Sequence, residues 1–449
     1  MTDVLLELLS QEAWALVMFA VVVLVLMIGY PVAFTLGAVS LLFGGIFLGL
    51  DFFDLLPLRI WGIMTNFTLL AVPLFIFMGV LLEKSGLAED LLETMGRLFG
   101  RVRGGLAVSI VAVGALLAAT TGVVGATVVT MGVIALPALL KNGYDTGLAT
   151  GTIAASGTLG QIIPPSVVLI LLGDVMGVPV GQLFAGAVVP GLMLVVLFMI
   201  YILIVGLLKP KWAPPVRESA QVDDLWGKVL KSLIPPMLLV LAVLGSIFFG
   251  IASPTESAAV GAIGALLLAL AYRRLTWRGL LDAMRQTTVM TSMVFLILIG
   301  ATAFGLVFRG LGGDGLMEEL MTSLPGGEWG FLAVSMLVIF ALGFFLDFLE
   351  ICFIVVPILT PIAQLLGIDL LWFGVLIAMN LQTSFLTPPF GFSLFYLKAA
   401  APDHVNMGQI YRGVIPFVVI QIVALVLLLA FPALATWLPQ FMDQLQGFG

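Results

Sequence analysis

The sequence has few charged residues for its length and almost no cysteine or histidine. Only 10% of its 449 residues are charged, whereas soluble domains carry about a quarter. The single cysteine, Cys352, excludes a disulfide framework, and the single histidine, His404, argues against zinc or haem held by histidines. The 18 Lys and Arg are outnumbered by 25 Asp and Glu, so nothing indicates nucleic-acid binding. The absence of a nucleophile–base pair and of a Walker-type phosphate loop argues against an enzyme and against ATP-driven transport by this chain.

Long uncharged segments dominate what is present, since 61% of the residues are hydrophobic. A membrane-spanning helix needs about 20 mostly apolar residues, and the sequence therefore predicts an all-α polytopic membrane protein. The expected spans are two within 14–50, divided at Tyr30-Pro31, and single spans at 60–82, 146–173, 181–208, 232–251, 255–272, 286–308, 370–397 and 413–435.

Two further apolar segments, 104–140 and 329–368, are too long for one span. Each can be a re-entrant hairpin or a pair of full spans, since both leave the following helix on the same side. Glycine and acidic residues near their midpoints favour re-entrant hairpins, which leaves about five spans and one hairpin in each half of the chain.

The basic residues predict the orientation. They form three clusters: Arg97, Arg101 and Arg103; Lys209, Lys211, Arg217, Lys228 and Lys231; and Arg273, Arg274, Arg278 and Arg285. Cytoplasmic loops carry an excess of Lys and Arg, so we place all three clusters in the cytoplasm. The N-terminus, the C-terminus and the acidic loop around 314–328 then lie on the outer side.

Motifs recur at an offset of 224 residues. The segment 137–145 aligns with 361–369, through Pro137 with Pro361, Gly143 with Gly367 and Asp145 with Asp369, and Pro164-Pro165 aligns with Pro388-Pro389. With a shift of one residue, Pro31 also matches Pro254. An odd number of spans per repeat inverts the second copy, and inverted repeats are typical of secondary transporters. We therefore expect a first inverted repeat at 1–210, a cytoplasmic connection at 211–231 and a second repeat at 232–449.

Each diproline falls inside an apolar segment, within 146–173 and 370–397. Two consecutive prolines interrupt a helix, and an interrupted helix is tolerated in a membrane where the backbone lines a cavity. Polar residues are dense beside both breaks, beyond what helix packing requires. We interpret them as groups around a solute and ions: Ser156, Thr158, Gln161 and Ser166 at the first break, and Asn380, Gln382, Thr383, Ser384 and Thr387 at the second.

At these motifs the sequence resembles a known family, the large membrane (M) subunit of TRAP (tripartite ATP-independent periplasmic) transporters. The resemblance runs from about residue 14 to 440. It is carried by 121–127 (TGVVGAT), 137–145, 157–166 (GTLGQIIPPS), 253–256 (SPTE), Leu346-Asp347 and 380–391 (NLQTSFLTPPFG). One departure concerns the first hairpin tip, where many members have a Ser-Gly-Ser-Ser-like sequence and this chain has Thr121-Gly122-Val123-Val124.

The resemblance implies an elevator-type transporter of the ion transporter superfamily type in the bacterial inner membrane. It implies sodium-coupled uptake of an organic acid, such as a C4-dicarboxylate or a 2-oxoacid. The implied partners are a periplasmic substrate-binding protein and a small four-helix membrane subunit, the latter as a separate chain.

Candidate site residues follow from the breaks and the resemblance together. The substrate-binding candidates are Gln161, Pro164, Pro165, Ser166, Asn380, Thr383, Thr387, Pro388 and Pro389. The sodium-binding candidates are Thr121, Gly122, Gly125, Gly157, Thr158, Asp347 and Gln382.

Several alternatives stay open at this point. The hairpin glycines can serve only close helix packing, and Asp347 and Glu350 can lie at a solvent-accessible boundary instead of on an ion path. Ser253 to Glu256 matches a capping box with proline at its first helical position, which we prefer to a proton-carrying role for Glu256. A carboxylate carrier that needs no binding protein is the alternative function.

Overall fold

The computed structural model describes residues 10–100, 102–121, 124–216 and 225–445, and within these ranges every regular element is a helix. The first half contains α1 (Gln11–Met27), α2 (Val32–Phe47), α3 (Leu56–Met64), α4 (Ala71–Lys84), α5 (Leu87–Phe99), α6 (Gly105–Thr121), α7 (Val124–Lys141), α8 (Thr146–Thr158), α9 (Val167–Met176) and α10 (Val180–Leu208).

The second half continues with helices of similar lengths. They are α11 (Leu225–Phe248), α12 (Pro254–Ala271), α13 (Trp277–Gly310), α14 (Gly313–Thr322), α15 (Glu328–Leu342), α16 (Phe348–Leu365, with a π-helical turn at Ile351–Val355), α17 (Leu370–Leu386), α18 (Phe392–Ala400), α19 (Met407–Ala430) and α20 (Ala433–Leu445).

Seven described helices are long and apolar enough to cross a membrane, namely α7, α10, α11 from Val229, α12, α13, α16 and α19. An eighth candidate is the bent pair Leu50–Met64 and Thr68–Lys84. The all-helical membrane fold predicted from the sequence is therefore confirmed. The helices α1 and α2, with 17 and 16 residues, are shorter than the roughly 20 residues that a span needs. The five-plus-hairpin repeat topology remains a prediction.

The span expected at 60–82 is bent in the structure, because the helix breaks at Thr65–Phe67 and the parts Leu50–Met64 and Thr68–Lys84 form an angle of 56°. The side chain of Asn66 causes the break locally: its Oδ1 accepts a hydrogen bond of 2.9 Å from the Thr68 N–H. Asn side chains that bond the backbone two residues ahead favour turns over helices.

Caps define the helix ends around the repeated motif. Asp145 and Asp369 are the N-caps of α8 and α17, and their Oδ1 atoms accept from Leu148 N at 3.0 Å and Trp372 N at 3.1 Å. Gly143 and Gly367, with φ of 80° and 75°, end α7 and α16 in the left-handed conformation that glycine permits. The residues that align at the 224-residue offset therefore share the same local structure.

Thirteen of the twenty α-helices that the structure describes belong to two packed groups. The first, the frame, consists of α2, α4, α12 and α13, in which α2 packs against α13, and α4 packs against both α12 and α13. The second, the inner bundle, consists of α6 to α9 and α15 to α19. In the inner bundle α8 packs on α7 and α19, α17 on α15 and α19, α18 on α7, and α9 on α16. In both groups, helices of the first half pair with helices of the second half.

Burial distinguishes α8 and α17 from the helices around them. Every residue of α8 from Leu148 and every residue of α17 from Trp372 is buried. Outer helices of both groups expose large apolar side chains, such as Leu41 and Ile263 of the frame and Val419 of α19. An exposed apolar surface of this kind suits contact with lipid, and the two broken helices lie at the centre of the protein.

Candidate functional site

The first helix break follows α8. This helix ends at Thr158, and a 3₁₀ turn at Leu159–Gln161 follows it. Because Pro164 and Pro165 lack backbone N–H groups, helical hydrogen bonding cannot pass through them, and α9 begins only at Val167. The start of α9 is buried and has no side-chain cap. The unpaired N–H groups of such a helix start suit an anionic or polar ligand.

The second break separates α17, which ends at Leu386, from α18, which begins at Phe392. Pro388 and Pro389 lie between them, and the Pro–Pro peptide bond is cis here and at the first break. Pro389 is exposed, and its carbonyl accepts a hydrogen bond of 2.9 Å from the Tyr411 hydroxyl. Both breaks therefore contain a diproline, but the second one is less buried than the first.

The candidate hydroxyl groups are hydrogen-bonded to nearby backbone carbonyls. The pairs are Thr158 with Ala155 O at 2.9 Å, Ser166 with Gln161 O at 2.9 Å, Thr383 with Met379 O at 2.9 Å and Thr387 with Thr383 O at 2.7 Å. Each hydroxyl has donated its only proton but keeps lone pairs. These oxygens can therefore still serve as acceptors or as cation ligands.

Asn380 links the second broken helix to the neighbouring helix α15. Its Nδ2 donates to the backbone carbonyl of Met336 over 2.7 Å, and its side chain is 1% exposed. This bond stabilises the packing of α17 on α15. Asn380 therefore has a structural partner in Met336, and its side-chain oxygen is not used by this bond.

Gln161 and Gln382 are fully buried, and neither amide has a hydrogen-bond partner among the described residues, at its nitrogen or at its oxygen. A buried, unpaired polar group costs about 1–3 kcal/mol, and such groups in native proteins require an explanation, such as a bound ion, water or ligand. Both were predicted as site residues from the sequence, and their environment fits a ligand-binding role.

Gln421 was missed by the sequence prediction. It lies fully buried on α19 and donates from Nε2 to the Thr158 hydroxyl over 3.3 Å, while its Oε1 has no hydrogen-bond partner in the part of the chain that the structure describes. Its isolated position in an apolar helix was a usable signal, because polar residues inside membrane helices often mark functional or helix-linking positions.

A cavity of about 450 Å³ lies between the frame and the inner bundle. Frame helices α4 and α13 contribute Glu83 and Gln286, and the remaining wall comes from α7, α9, α16, α17 and α18 with the residue before α16. We call it the central cavity. Of the predicted site residues, Gly125 and Asp347 line it, together with Tyr396 of α18, which the sequence analysis did not select. The buried glutamines are not among its lining residues.

Asp347 and Glu350 form a capping box at the start of α16. Asp347 Oδ1 accepts from Phe348 N over 2.7 Å, and Glu350 Oε2 accepts from Asp347 N over 2.7 Å. From the sequence we expected such a box only at Ser253 and Glu256, where it is also present. A carboxylate has about four lone-pair sites, so the Asp347 cap does not exclude a cation ligand on the cavity side.

The first hairpin tip is only partly described: Gly122 and the side chain of Thr121 lie outside the described residues. Gly125 and Gly157 are described, and both lie at close helix contacts. A Cβ on Gly125 would lie 3.2 Å from the Tyr396 ring, and one on Gly157 would lie 2.2 Å from Val128 Cγ2. Close packing therefore accounts for both glycines without an ion.

Residues 19–434 match the family described as the tripartite ATP-independent periplasmic transporter, DctM component. The C4-dicarboxylate TRAP transporter large permease DctM of Pseudomonas aeruginosa is 32% identical over 393 residues, covering 86% of this chain and 90% of the relative. The sialic acid TRAP transporter large permease SiaM of Vibrio cholerae is 29% identical, covering 92% and 95%. The ectoine TRAP transporter large permease TeaC of Halomonas elongata is 28% identical, covering 94% and 98%.

Two solved structures share the fold. The Alcanivorax borkumensis YdaH transporter matches with a TM-score of 0.61 at 16% identity, covering 86% of this chain and 89% of that one. Neisseria gonorrhoeae MtrF matches with a TM-score of 0.57 at 12% identity, covering 85% and 84%. The match over almost the whole chain, with two broken helices at the motifs that carry the resemblance, shows that the chain belongs to the DctM family of TRAP transporter large permeases.

Proposed function

We propose that this large permease imports an organic acid by sodium symport, with the inner bundle moving as an elevator against the frame. The observation that supports this most directly is the position of the central cavity. Its wall combines frame residues Glu83 and Gln286 with inner-bundle residues Gly125, Val167 and Phe385. A displacement of one group against the other would therefore open or close this cavity.

A carboxylate is the proposed substrate group. Val167 begins α9, whose buried start lacks a side-chain cap, and a helix N-terminus favours an anion. The unpaired Nε2 atoms of Gln161 and Gln382 are further buried donors. The relatives are named for C4-dicarboxylate, sialic acid and ectoine, which supports a carboxylate but selects no single acid.

Sodium is the proposed coupling ion, carried as a co-substrate. Sodium needs oxygen ligands, and the chain offers the Thr158 hydroxyl, the Gln382 amide oxygen and the Asp347 carboxylate. The hairpin-tip positions Thr121 and Gly122 stay in this proposal on the strength of the family resemblance. We give Gly125 and Gly157 a packing role, since their contacts explain them.

The proposed partners are a periplasmic substrate-binding protein and a separate small membrane subunit. A TRAP permease of Oleidesulfovibrio alaskensis named for isethionate, DctMQ, is 28% identical, and this chain covers 65% of its length. Under this proposal, the third of that relative which this chain does not cover corresponds to the small subunit. We place the chain in the bacterial inner membrane with both termini periplasmic, as the basic clusters indicate.

Reconstitution tests the proposal. Liposomes containing this chain and the small subunit receive the binding protein and one radiolabelled acid at a time: succinate, pyruvate, sialic acid or ectoine. We expect uptake of at least one acid only with an inward sodium gradient and the binding protein. Equal uptake with potassium on both sides and a proton gradient overturns sodium coupling. Robust uptake without the binding protein selects the binding-protein-independent carrier instead.

A further inference from the structure

A second cavity, of about 230 Å³, lies at the Gly310 end of α13. It also lies between the two groups of helices: the frame contributes α13, α3 lies beside it, and the opposite wall comes from α9 and α16. Most of the lining is apolar, including Leu298, Leu306, Phe353 and Pro357. We call it the arginine cavity.

Two arginines line this apolar cavity. Arg59 of α3 is exposed and has no hydrogen bond or ion pair with any part of the chain that the structure describes. Arg309 of α13 is half-exposed, and its Nε lies 3.4 Å from Asp314 Oδ2. The cavity therefore holds more positive than negative charge. An arginine without a partner beside an apolar cavity keeps its guanidinium donors available to an anion.

The arginine cavity and the central cavity follow one another along α13. Gln286, Met290 and Met293 line the central cavity, and Ala301, Gly305 and Arg309 line the arginine cavity. At 3.6 residues per turn the second set is turned partly around the helix from the first, because each step of four residues drifts by about 40°. On the opposite wall, the residues of α16 that line the central cavity also come before those that line the arginine cavity.

The opposite wall changes from one cavity to the other within a single turn of α16. Leu349 faces the central cavity, and Phe353, four residues later, faces the arginine cavity. The two cavities are thus consecutive chambers between frame and inner bundle. With the basic clusters in the cytoplasm, the arginine cavity is the outer chamber.

We infer that the arginine cavity is an outer anion-binding site, at which Arg59 and Arg309 hold the carboxylate of the transported acid before it reaches the central cavity. This inference rests on the proposed import function. Guanidinium groups bind carboxylates with paired hydrogen bonds, and the apolar wall suits the hydrocarbon part of an organic acid. Positive charge at the mouth of a cleft also raises the local anion concentration.

Cysteine modification measures this charge without any transport. Thr302 is half-buried in the arginine cavity, and Thr302→Cys is close to isosteric. The full chain with its small subunit is reconstituted in phosphatidylcholine liposomes. Labelling rates are compared for two impermeant methanethiosulfonates, one carrying a sulfonate and one a trimethylammonium group. The unsubstituted chain supplies the background, because Cys352 is fully buried.

The control is the rate of each reagent with a free thiol in solution. Relative to this control, we expect Thr302→Cys to prefer the anionic reagent by about fivefold or more, because one net positive charge in a wet cavity acts in opposite directions on the two reagents. Arg59→Gln and Arg309→Gln should each reduce that preference several-fold. A preference equal to the control, or one unchanged in both arginine variants, overturns the inference.

Competition identifies the anion. Succinate should slow anionic labelling of Thr302→Cys, whereas uncharged succinamide should not. Protection by added phosphatidylglycerol without protection by succinate would show a lipid headgroup at the site and overturn the substrate assignment. The two proposals fail separately: an anion preference without sodium-driven uptake contradicts the proposed function, and uptake without the preference contradicts only the outer site.

Discussion

The side-chain amide of Asn66 donates a hydrogen bond of 2.6 Å to the carboxylate of Asp174, joining the bend before α4 to the end of α9. Near the other end of α4, Thr130 Oγ1 of α7 donates to Glu83 Oε1 over 2.9 Å. The 14 residues of α4 span about 20 Å at 1.5 Å per residue. One frame helix thus has a polar contact with the inner bundle near each end.

Both contacts stabilise the conformation that the structure shows. If the inner bundle moves along the frame, Asn66 must separate from Asp174 and Thr130 from Glu83. A hydrogen bond to a charged group contributes about 1.5–3 kcal/mol. Removing either contact should therefore shift the equilibrium towards the other conformation of the elevator.

The first prediction concerns Asn66→Ala. We expect the ratio of this conformation to the alternative to fall by about tenfold or more, since the bond to a carboxylate is lost. Spin labels on the exposed residues Lys84 and Lys141, one in the frame and one in the inner bundle, report the two populations as a distance distribution. Thr65→Val is the matched control, because the Thr65 hydroxyl bonds only within its own helix. Identical distributions in Asn66→Ala and the control would show that the bond between Asn66 and Asp174 does not stabilise this conformation.

The second prediction concerns Thr130→Val, which removes the contact at the other end of α4. It should shift the same two populations in the same direction as Asn66→Ala. Because the two contacts lie far apart and share no partner, their effects in the double variant should add within about 0.5 kcal/mol. A double variant no different from either single variant would mean that the contacts do not report one motion.

Sequence patterns predicted those features of the candidate site that depend on residues close together in the chain. The diprolines interrupt their helices, and Gln161 and Gln382 lie buried beside the breaks. The bend at Asn66 was not predicted, because a single asparagine in an apolar segment is a weak break signal. The pairing of Asn66 with Asp174 joins residues 108 positions apart, which no local pattern contains.

The arginine cavity was missed for the same reason. Arg59 and Arg309 are separated by most of the chain and are unremarkable as single charges near predicted span ends. Only the packing of α3 against α13 brings them to one cavity. Conversely, Gly157 matches a family motif, but its contact with Val128 shows that part of such a motif serves helix packing.

The third prediction uses Gln161→Met. Since the buried amide has no partner in the described structure, its removal should leave the melting temperature unchanged or raise it. Uptake should nevertheless fall by about tenfold or more, because a ligand donor is lost. Thermal unfolding and liposome uptake are measured on the same preparations. Gln364→Met, at an exposed position of α16, is the control that should retain uptake. A destabilised but active Gln161→Met would assign the amide a structural role.

The fourth prediction separates packing from ion binding at Gly157. A Cβ there would lie 2.2 Å from Val128 Cγ2, so Gly157→Ala should destabilise the protein by about 1–3 kcal/mol. Val128→Ala removes the clashing methyl group and should restore most of the stability in the double variant. Gly37→Ala is the matched control, because nothing lies within 4 Å of its Cβ position. Stability recovered together with normal sodium dependence would confirm packing as the role of Gly157.

The last prediction concerns Asp347, which both caps α16 and lines the central cavity. Asparagine is as good an N-cap as aspartate, so Asp347→Asn should preserve stability while removing the charge. Asp347→Ala loses the cap as well and should cost about 1 kcal/mol. If the carboxylate contacts sodium, both variants should raise the sodium concentration for half-maximal uptake to a similar extent, and only Asp347→Ala should melt earlier. A sodium requirement unchanged in Asp347→Asn would restrict Asp347 to capping, and the ion ligands would then have to be sought around Thr158 and Gln382.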